Sequence, residues 1–160
     1  MPFSKLDESF MQIALACAEY GAGQGEVPVG AVLVYENKII ASGYNQPILS
    51  HDATAHAEIV AIRSACRHFD NYRLPMGCTL YITLEPCTMC LGAMIHARIS
   101  QLVFATPEPR AGMIVSQQDI SEKTFYNHAM QIEHGLLAEQ SQILLKAFFR
   151  QRRKKKAPLL

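Results

Sequence analysis

Long apolar runs are missing from this chain of 160 residues. The longest, VGAVLV at 29–34 and QLVFA at 101–105, fall far short of the roughly 20 residues that a membrane-spanning helix needs. The first ten residues, MPFSKLDESF, also lack the basic segment followed by an apolar core that marks a secretory signal peptide. We therefore expect a cytoplasmic protein with no membrane partner.

A strong net charge is also missing, since the formal total is only +1. This near balance hides an uneven distribution. All 14 acidic residues lie before position 150, whereas six of the 15 basic residues lie in RQRRKKKAPLL at 150–160. The sequence thus predicts an acidic body with a basic end. A hydrophobic content of 49% with 18% charged residues indicates that the body is globular.

Cysteines are few, and their odd number of five speaks against a disulfide scaffold. Thiols in the cytosol also stay reduced. Cys17, Cys66 and Cys78 stand among apolar neighbours, where a buried small hydrophobic side chain is the simplest interpretation. Cys87 and Cys90 differ, because a spacing of three places both thiols on one side of a helical turn.

The order of elements predicts an α/β fold. Hydrophobic spacing and turn residues indicate helices near 4–20, 55–69, 88–97 and 136–153, and strands near 27–36, 38–45, 79–84, 100–106 and 130–135. The first two strands form a hairpin, and apolar strands then alternate with helices. This pattern favours a three-layer α/β/α domain, with a mixed sheet of about five strands between helices.

The length suits one domain, which we place at residues 1–153, followed by a basic tail at 154–160. The third helix, TMCLGAMIHA at 88–97, is apolar all round and should be buried. The last helix should turn its apolar side chains inward. These are Leu137, Ile143, Leu144 and Phe148.

Four residues at the starts of the second and third helices form a candidate metal site. Zinc prefers thiolate and imidazole ligands, and the positive end of a helix lowers the pKa of a thiol there. Residues two apart do not share a helix face, so an ion near both His56 and Glu58 must lie off the end of the helix. The pattern predicts His56, Cys87 and Cys90 as ligands, with a fourth position left for water.

Glu58 is the candidate base. Bound zinc lowers the pKa of water from ~15.7 towards ~7, and a carboxylate that is not a ligand can then move the protons. Taken singly, a histidine, a glutamate or a cysteine at these positions would be ordinary surface or core. Together, H-A-E followed by P-C-x-x-C matches the pattern of zinc deaminases that act on nucleobases.

Nearly the whole chain resembles the bacterial tRNA-specific adenosine deaminases, members of the cytidine-deaminase-like superfamily that convert adenosine to inosine at the anticodon wobble position. The H-A-E and P-C-x-x-C pieces are common to the superfamily, and the blocks around them are specific to the tRNA-acting branch. The blocks that carry the resemblance are EVPVGAVLV at 26–34, GYNQPI at 43–48, DATAHAE at 52–58, NYRL at 71–74, TLYITLEPCTMCLGAMIHARI at 79–99, NH at 127–128 and FFRQRR at 148–153.

The resemblance implies a role for each matching position. It implies one zinc ion per subunit on the predicted ligands, Glu58 as the proton shuttle, and a homodimer that binds the tRNA anticodon stem-loop across both subunits. Asn45 would contact the flipped nucleotide, and Val29 and Leu84 would line the base pocket. The residues expected to meet the RNA are Glu108, Phe149, Arg150, Arg152 and Arg153.

One loop departs from the family pattern, which reads aspartate, any residue, lysine, threonine, glycine. Here residues 108–112 read EPRAG, which preserves the charge signs but makes the acid one methylene longer. Pro107 and Pro109 also stiffen the loop. The departure bears on how this loop meets the RNA and on strictness for one tRNA.

The basic end permits two interpretations. Its cations could simply complement the negative end of a solvated helix. Six like charges exceed what a dipole of about half a unit charge requires, so we favour contacts to RNA phosphates.

We therefore expect zinc-dependent hydrolysis of adenosine to inosine in a tRNA anticodon. A deaminase of free bases or nucleosides, such as guanine or cytosine, is the first alternative, and the basic block at 148–153 disfavours it. A structural or RNA-binding zinc module without turnover is the second. Glu58 disfavours that alternative, because a structural site has no use for an acid that is not a ligand.

Overall fold

Five strands form one mixed sheet in the computed structural model, which describes residues 2–117 and 126–156. The strands are β1 (Gly30–Tyr35), β2 (Lys38–Tyr44), β3 (Thr79–Leu84), β4 (Gln101–Thr106) and β5 (Gln131–His134). Their order across the sheet is β2-β1-β3-β4-β5. β1 is antiparallel to β2 and β3, whereas the β3–β4 and β4–β5 pairs are parallel. The predicted mixed sheet is confirmed.

Helices cover both faces of this sheet. They are α1 (Lys5–Gly23), α2 (Pro47–Ser50), α3 (Ala57–His68), α4 (Thr88–Ala97) and α5 (Ala138–Lys156). Alternate side chains of a strand point to opposite faces, so Leu33 packs in the core beneath α3 and α4, while Val32 packs in the core beneath α1. The three-layer α/β/α arrangement is therefore confirmed. None of the helices in the described ranges is long and apolar enough to cross a membrane.

The first helix begins where the sequence predicts. The Ser4 hydroxyl accepts a hydrogen bond from the Asp7 backbone N–H at 3.1 Å, and Asp7 accepts one from the Ser4 N–H at 2.9 Å. This reciprocal cap satisfies two free donors of the first turn. Asp7 also accepts a hydrogen bond from the Tyr81 hydroxyl at 2.6 Å, which fastens the start of α1 to β3.

The hairpin also forms as predicted. Glu36 and Asn37 connect β1 to β2 with φ angles of 50° and 59°. Two successive residues with positive φ give the turn whose twist matches that of the flanking strands.

Three expectations for the helices need correction. The segment at 46–53, for which the sequence predicts no helix or strand, contains the short helix α2. α4 is not buried all round, since Met89 is 37% exposed. On α5, Ile143 is 59% exposed, whereas Leu144 packs against the core, as does Leu137 just before the helix. Phe148 is half-buried and, among the described residues, does not pack against either core. α5 makes a narrow contact with the sheet, and Ile143 points away from it.

The sequence-based boundary at residue 153 falls inside α5, which continues to Lys156. The remaining residues of the expected tail, 157–160, lie outside the described part of the chain.

One edge of the sheet collects the residues predicted to be functional. The carboxyl ends of the parallel strands β3 and β4 meet there, with Leu84 opposite Thr106. Because β2 and β1 are antiparallel, the end of β2 and the start of β1 lie at the same edge, with Tyr44 opposite Gly30. Ligand sites in α/β sheets form outside such strand ends.

Candidate active site

The N-termini of α3 and α4 converge at this edge. His56 is the N-cap of α3, Cys87 is the N-cap of α4, and Cys90 lies in the first turn of α4. His56 Nδ1 lies 3.7 Å from Cys87 Sγ and 3.5 Å from Cys90 Sγ. The geometry agrees with the expectation that an ion lies off the end of the second predicted helix.

These three side chains fit zinc. A tetrahedral ion bound to sulfur at ~2.3 Å and to nitrogen at ~2.0–2.1 Å separates the two ligand atoms by about 3.6 Å. The two nitrogen–sulfur distances of 3.7 and 3.5 Å lie on either side of that value. Within residues 2–117 and 126–156, this is the one group of three potential ligands whose ligand atoms all lie within 4.8 Å of one another.

The two thiols differ in acidity. A hydrogen bond from Cys90 holds the pKa of Cys87 well below its usual range; burial opposes this, and a hydrogen bond from His56 adds to it. The same bond to Cys87, followed by burial, raises the pKa of Cys90. The hydrogen bond to Cys87 is also the main reason that the pKa of His56 is raised. The surrounding groups therefore favour the thiolate form of Cys87, and the thiolate is the form in which cysteine binds a metal.

Glu58 lies beside the ligands in the first turn of α3 and is only 4% exposed. Burial raises the pKa of its carboxyl group to about 7. Its Oε2 is buried and has no hydrogen-bond partner in the described parts of the chain. Leaving a buried polar atom unsatisfied costs free energy, so the arrangement is typical of a group that meets substrate or water.

Asn45 supplies the helix cap that His56 does not. Its Oδ1 accepts a hydrogen bond from the Ala57 backbone N–H at 2.8 Å, whereas the His56 side chain makes no capping bond. Asn45 therefore holds the first turn that carries Glu58. Its Oδ1 is engaged by the protein, so the Nδ2 donor is the part of the amide that can meet a substrate.

A second support, not anticipated from the sequence, orders the chain before His56. Asp52 Oδ1 accepts hydrogen bonds from the backbone and hydroxyl of Thr54, both under 3 Å. Arg63 on α3 forms an ion pair with Asp52 at 3.2 Å and donates to the Thr54 hydroxyl at 3.1 Å. The segment leading to the metal ligand is thus tied to its own helix. The spacing of Asp52 and Arg63 carries no recognisable signal.

Val29 and Leu84 lie at the same edge but in different surroundings. Val29 is 4% exposed, belongs to the core beneath α3 and α4, and accepts a hydrogen bond from the Asn45 N–H through its carbonyl at 3.2 Å. Leu84, at the end of β3, lines a cleft between the loop after β4 and helix α5.

This cleft has a volume of about 540 Å³. Its lining combines apolar side chains with three cations of α5. The lining residues are Leu84, Pro107, Glu108, Pro109, Arg110, Leu145, Lys146, Phe149, Arg150 and Arg153. We hereafter call this space the basic cleft.

The structure separates the arginines that the sequence grouped. Arg150 and Arg153 line the basic cleft with Phe149, as Glu108 does from the opposite loop. Arg152 is not among the lining residues, and its guanidinium lies 5.5 Å above the centre of the Phe148 ring. Lys146 was missed, although its spacing of four from Arg150 places both on one helix face.

Glu108 is turned towards its own loop. Its Oε1 accepts a hydrogen bond from the Arg110 backbone N–H at 2.9 Å. The longer acid therefore stabilises the proline-flanked turn as well as lining the cleft.

The fold and the His-Cys-Cys centre define a class of zinc-dependent deaminase. Residues 4–106 match the family model described as the cytidine and deoxycytidylate deaminase zinc-binding region. The match covers both helix N-termini that carry the ligands.

Similar proteins show to which family of this class the chain belongs. The chain is 44% identical to the tRNA-specific adenosine deaminase of Haemophilus influenzae, over 96% of this chain and 88% of that protein. It is 39% identical to the tRNA-specific adenosine deaminase of Bacillus subtilis, over 94% and 92% of the two chains. The chain belongs to the family of tRNA-specific adenosine deaminases.

Two solved structures of deaminases resemble this fold over most of the chain. A structure from work on A-to-I editing by tRNA:A34 deaminases at the wobble position of transfer RNA is 40% identical, with a TM-score of 0.83, over 86% of this chain and 99% of that chain. A guanine deaminase from Nitrosomonas europaea is 24% identical, with a TM-score of 0.72, over 88% and 83%. The second likeness shows the shared fold alone.

Proposed function

We propose that this protein converts adenosine to inosine at the wobble position of a tRNA anticodon, with His56, Cys87 and Cys90 holding zinc and Glu58 moving the protons. The observation that supports this best is the buried Glu58 carboxyl group, whose Oε2 has no hydrogen-bond partner in the described residues, beside three side chains spaced for zinc. The identity to tRNA-specific adenosine deaminases over nearly the whole chain supports tRNA as the substrate.

Zinc on these three ligands would leave a fourth position for water and bring the pKa of that water towards ~7. Hydrolysis adds the water oxygen to C6 of adenine and releases ammonia. Glu58 would accept one proton of the water and deliver it to N1. It would then take the remaining proton of the added hydroxyl group and pass it to the amino group, which leaves as ammonia. A carboxylate that is not a metal ligand is free to accept a proton and to return it.

The base must leave its stack to reach this centre. Flipping costs a few kcal/mol, and less in a loop whose bases are already partly unstacked, which favours an anticodon loop over a duplex. The Asn45 Nδ2 group would donate a hydrogen bond to the flipped nucleotide, because the Oδ1 of the same amide already accepts one from the Ala57 N–H of α3. Val29 and Leu84 would give apolar contact to the base.

The basic cleft would hold the RNA strand beside the flipped base. Lys146, Arg150 and Arg153 recur on one face of α5 and can neutralise phosphates. Phe149 is 41% exposed at the same cleft, where a base can stack on it. We assign the interface to this face of α5 and not to Arg152.

A second copy of the chain would cover α4. The stripe formed by Met89, Gly92, Ala93 and His96 stays accessible to solvent in the single chain, on the helix that carries Cys90. A Cβ added to Gly92 would meet no atom within 4 Å. This apolar, small-residue face and the family resemblance support a homodimer with the metal centres close to the subunit interface.

Ala93→Glu tests the dimer by placing a charge on this stripe. We expect analytical ultracentrifugation to give a dimer for the parent protein and a monomer for the variant, with the zinc content unchanged. A parent protein that sediments as a monomer would contradict the proposal.

We further place one deaminase domain at residues 1–153, which contains the basic cleft, and a basic tail at 154–160. A tRNA substrate supports a cytoplasmic location.

The activity is tested with purified protein and total tRNA, followed by sequencing, in which inosine reads as guanosine. We expect inosine at the first anticodon position of a small set of tRNAs, and far less in the same time with Glu58→Gln. Assays with free adenosine, guanine and cytosine run in parallel. Turnover of a free base without any editing of tRNA would replace the proposed function by the small-molecule alternative.

A further inference from the structure

Another buried carboxylate lies in the sequence between Leu84, which lines the basic cleft, and Cys87 of the metal centre. Glu85 follows Leu84 and precedes Cys87 by two residues, and it is 3% exposed. In the part of the chain that the structure describes, no cation lies within ion-pair distance of it, and it is not a member of the metal-binding group. A buried charge with neither partner needs another source of stabilisation.

Donors from one loop segment supply that stabilisation. Glu85 Oε1 accepts hydrogen bonds from three successive backbone N–H groups, those of Ile114 at 2.9 Å, Val115 at 2.6 Å and Ser116 at 3.1 Å. Oε2 accepts from the Glu108 N–H at 2.9 Å and from the Ser116 hydroxyl. Successive N–H groups that point inward form a concavity suited to an anion, and here the anion is the protein's own side chain.

The segment is shaped around this carboxylate. A Cβ at Gly112 would overlap Glu85 Oε2 and lie 2.7 Å from the Glu108 carbonyl oxygen, so only glycine fits there. The Met113 N–H also donates to the Pro86 carbonyl at 3.1 Å, next to the metal ligand. The loop therefore encloses both the carboxylate and the peptide that leads into Cys87.

The same loop forms one wall of the basic cleft through Pro107, Glu108, Pro109 and Arg110. We propose that Glu85 is a positioning residue for RNA, which holds this wall at a fixed place relative to Cys87 and so aligns the strand in the cleft with the base at the metal centre. The proposal builds on the proposed function of the cleft. Glu85 touches neither the RNA nor the reacting atoms.

Glu85→Gln tests the proposal because it keeps the shape and replaces one acceptor by a donor. We expect the KM for an anticodon stem-loop to rise about tenfold or more, with kcat at saturating RNA changed less than about twofold. Zinc should stay at one ion per chain. Trypsin should cut faster after Arg110, an exposed residue of the wall, which reports on the loop without any substrate.

Two further variants sharpen the test. Glu133→Gln makes the same chemical change on an exposed side chain of β5 and should change nothing. Ser116→Ala removes one of the donors to Glu85 and should raise the KM by a smaller factor. In the Glu85→Gln background, Ser116→Ala should add little, because both changes act through one carboxylate. If Glu85→Gln fails to fold, the separate effects of Ser116→Ala on KM and kcat decide the question.

An unchanged KM with unchanged trypsin cleavage would overturn the proposal. So would a loss of zinc with an equal fall in kcat, which would make Glu85 a support of the metal centre. If the parent protein does not edit tRNA, the proposed function fails instead. The trypsin rate after Arg110 still shows in that case whether Glu85 holds the wall.

Discussion

At the metal centre, three ligand atoms from two helix N-termini lie within 4.8 Å of one another, whereas the cations of the basic cleft are spread along about two turns of an exposed helix. The ligands depend on a few atoms placed to a fraction of an ångström, next to a buried carboxyl group. The cleft depends on several charges at less exact positions. One missing residue should therefore abolish the function of the first region and only weaken the second.

The largest expected difference in zinc content and activity is that between the variants Cys90→Ala and Cys78→Ala. Both side chains are fully buried, so each substitution removes the same atoms from the core. We expect Cys90→Ala to lose zinc and all measurable deamination, because two ligands cannot hold the ion.

Cys78→Ala should keep one zinc per chain and lose about 1 kcal/mol of stability. Metal analysis by mass spectrometry and thermal unfolding measure both proteins. Full zinc occupancy in Cys90→Ala would rule out that ligand.

Glu58→Gln separates chemistry from metal binding within the first region. We expect zinc, fold and RNA affinity to be retained, while kcat falls by about 10²–10⁴-fold, since the amide cannot accept the proton. Glu19→Gln, on the exposed side of α1, is the matched control. Single-turnover assays and zinc analysis distinguish the outcomes, and zinc loss in Glu58→Gln would mean that Glu58 is a ligand.

RNA binding in the basic cleft should weaken gradually as its cations are removed. Replacing both Arg150 and Arg153 by alanine should weaken binding of an anticodon stem-loop and reduce the slope of log affinity against log salt by up to ~1.4, about 0.7 for each phosphate contact on a single strand. Zinc content and fold should not change.

Arg152→Ala is the internal control for this pair. It removes one positive charge, half of what the double variant removes, from the same helix but from the side packed on Phe148. Fluorescence anisotropy across a salt series measures all the proteins. If Arg152→Ala reduced the slope by half as much as the double variant, general charge, and not this face of α5, would bind the RNA.

A contact away from both regions should affect stability alone. Burial acts to raise the pKa of Asp7, but hydrogen bonds from Ser4 and Tyr81 outweigh it and hold the pKa below its usual value. A lowered carboxyl pKa stabilises the fold above the unfolded value of about 3.9, and this stabilisation is lost as the pH falls through the folded value.

Asp7→Asn should therefore lower the free energy of unfolding by about 1 kcal/mol at neutral pH, with a smaller difference below about pH 4. Denaturant unfolding at several pH values measures this. A change in kcat at neutral pH would show that the start of α1 is coupled to the active site.

The two regions also differed in how well the sequence predicted them. The candidate ligands follow from short-range spacing, since Cys87 and Cys90 share one turn and His56 precedes a helix. The groups that hold them could not be predicted in this way. Asn45 caps α3 from another segment, and Glu85 binds donors more than 20 residues away. Such pairs are fixed by the fold and leave no pattern in the chain.

The orientation of α5 shows why the cleft was predicted only in part. Ser141 is the fully buried residue of this helix, and its hydroxyl donates to the Thr83 carbonyl at 2.6 Å. Because a polar residue occupies the inward position, the hydrophobic spacing of α5 does not reveal which side faces the core. The sequence therefore predicted that Ile143 and Leu144 both face inward. The rotation of the helix decides which arginines reach the cleft, and that rotation depends on this one hydrogen bond and its neighbours.

The last turns of α5 have a further consequence. From Arg150 to Lys156 the helix is exposed, and like charges recur three and four residues apart, which disfavours a helix by a few tenths of a kcal/mol per pair. A phosphate backbone beside them would remove this mutual repulsion. RNA should therefore increase the helicity of the segment, and circular dichroism at low salt should detect the gain. Added salt then has two opposing effects on the helicity of this segment. It screens the repulsion in the free helix, which favours the helix, and it weakens the complex with RNA.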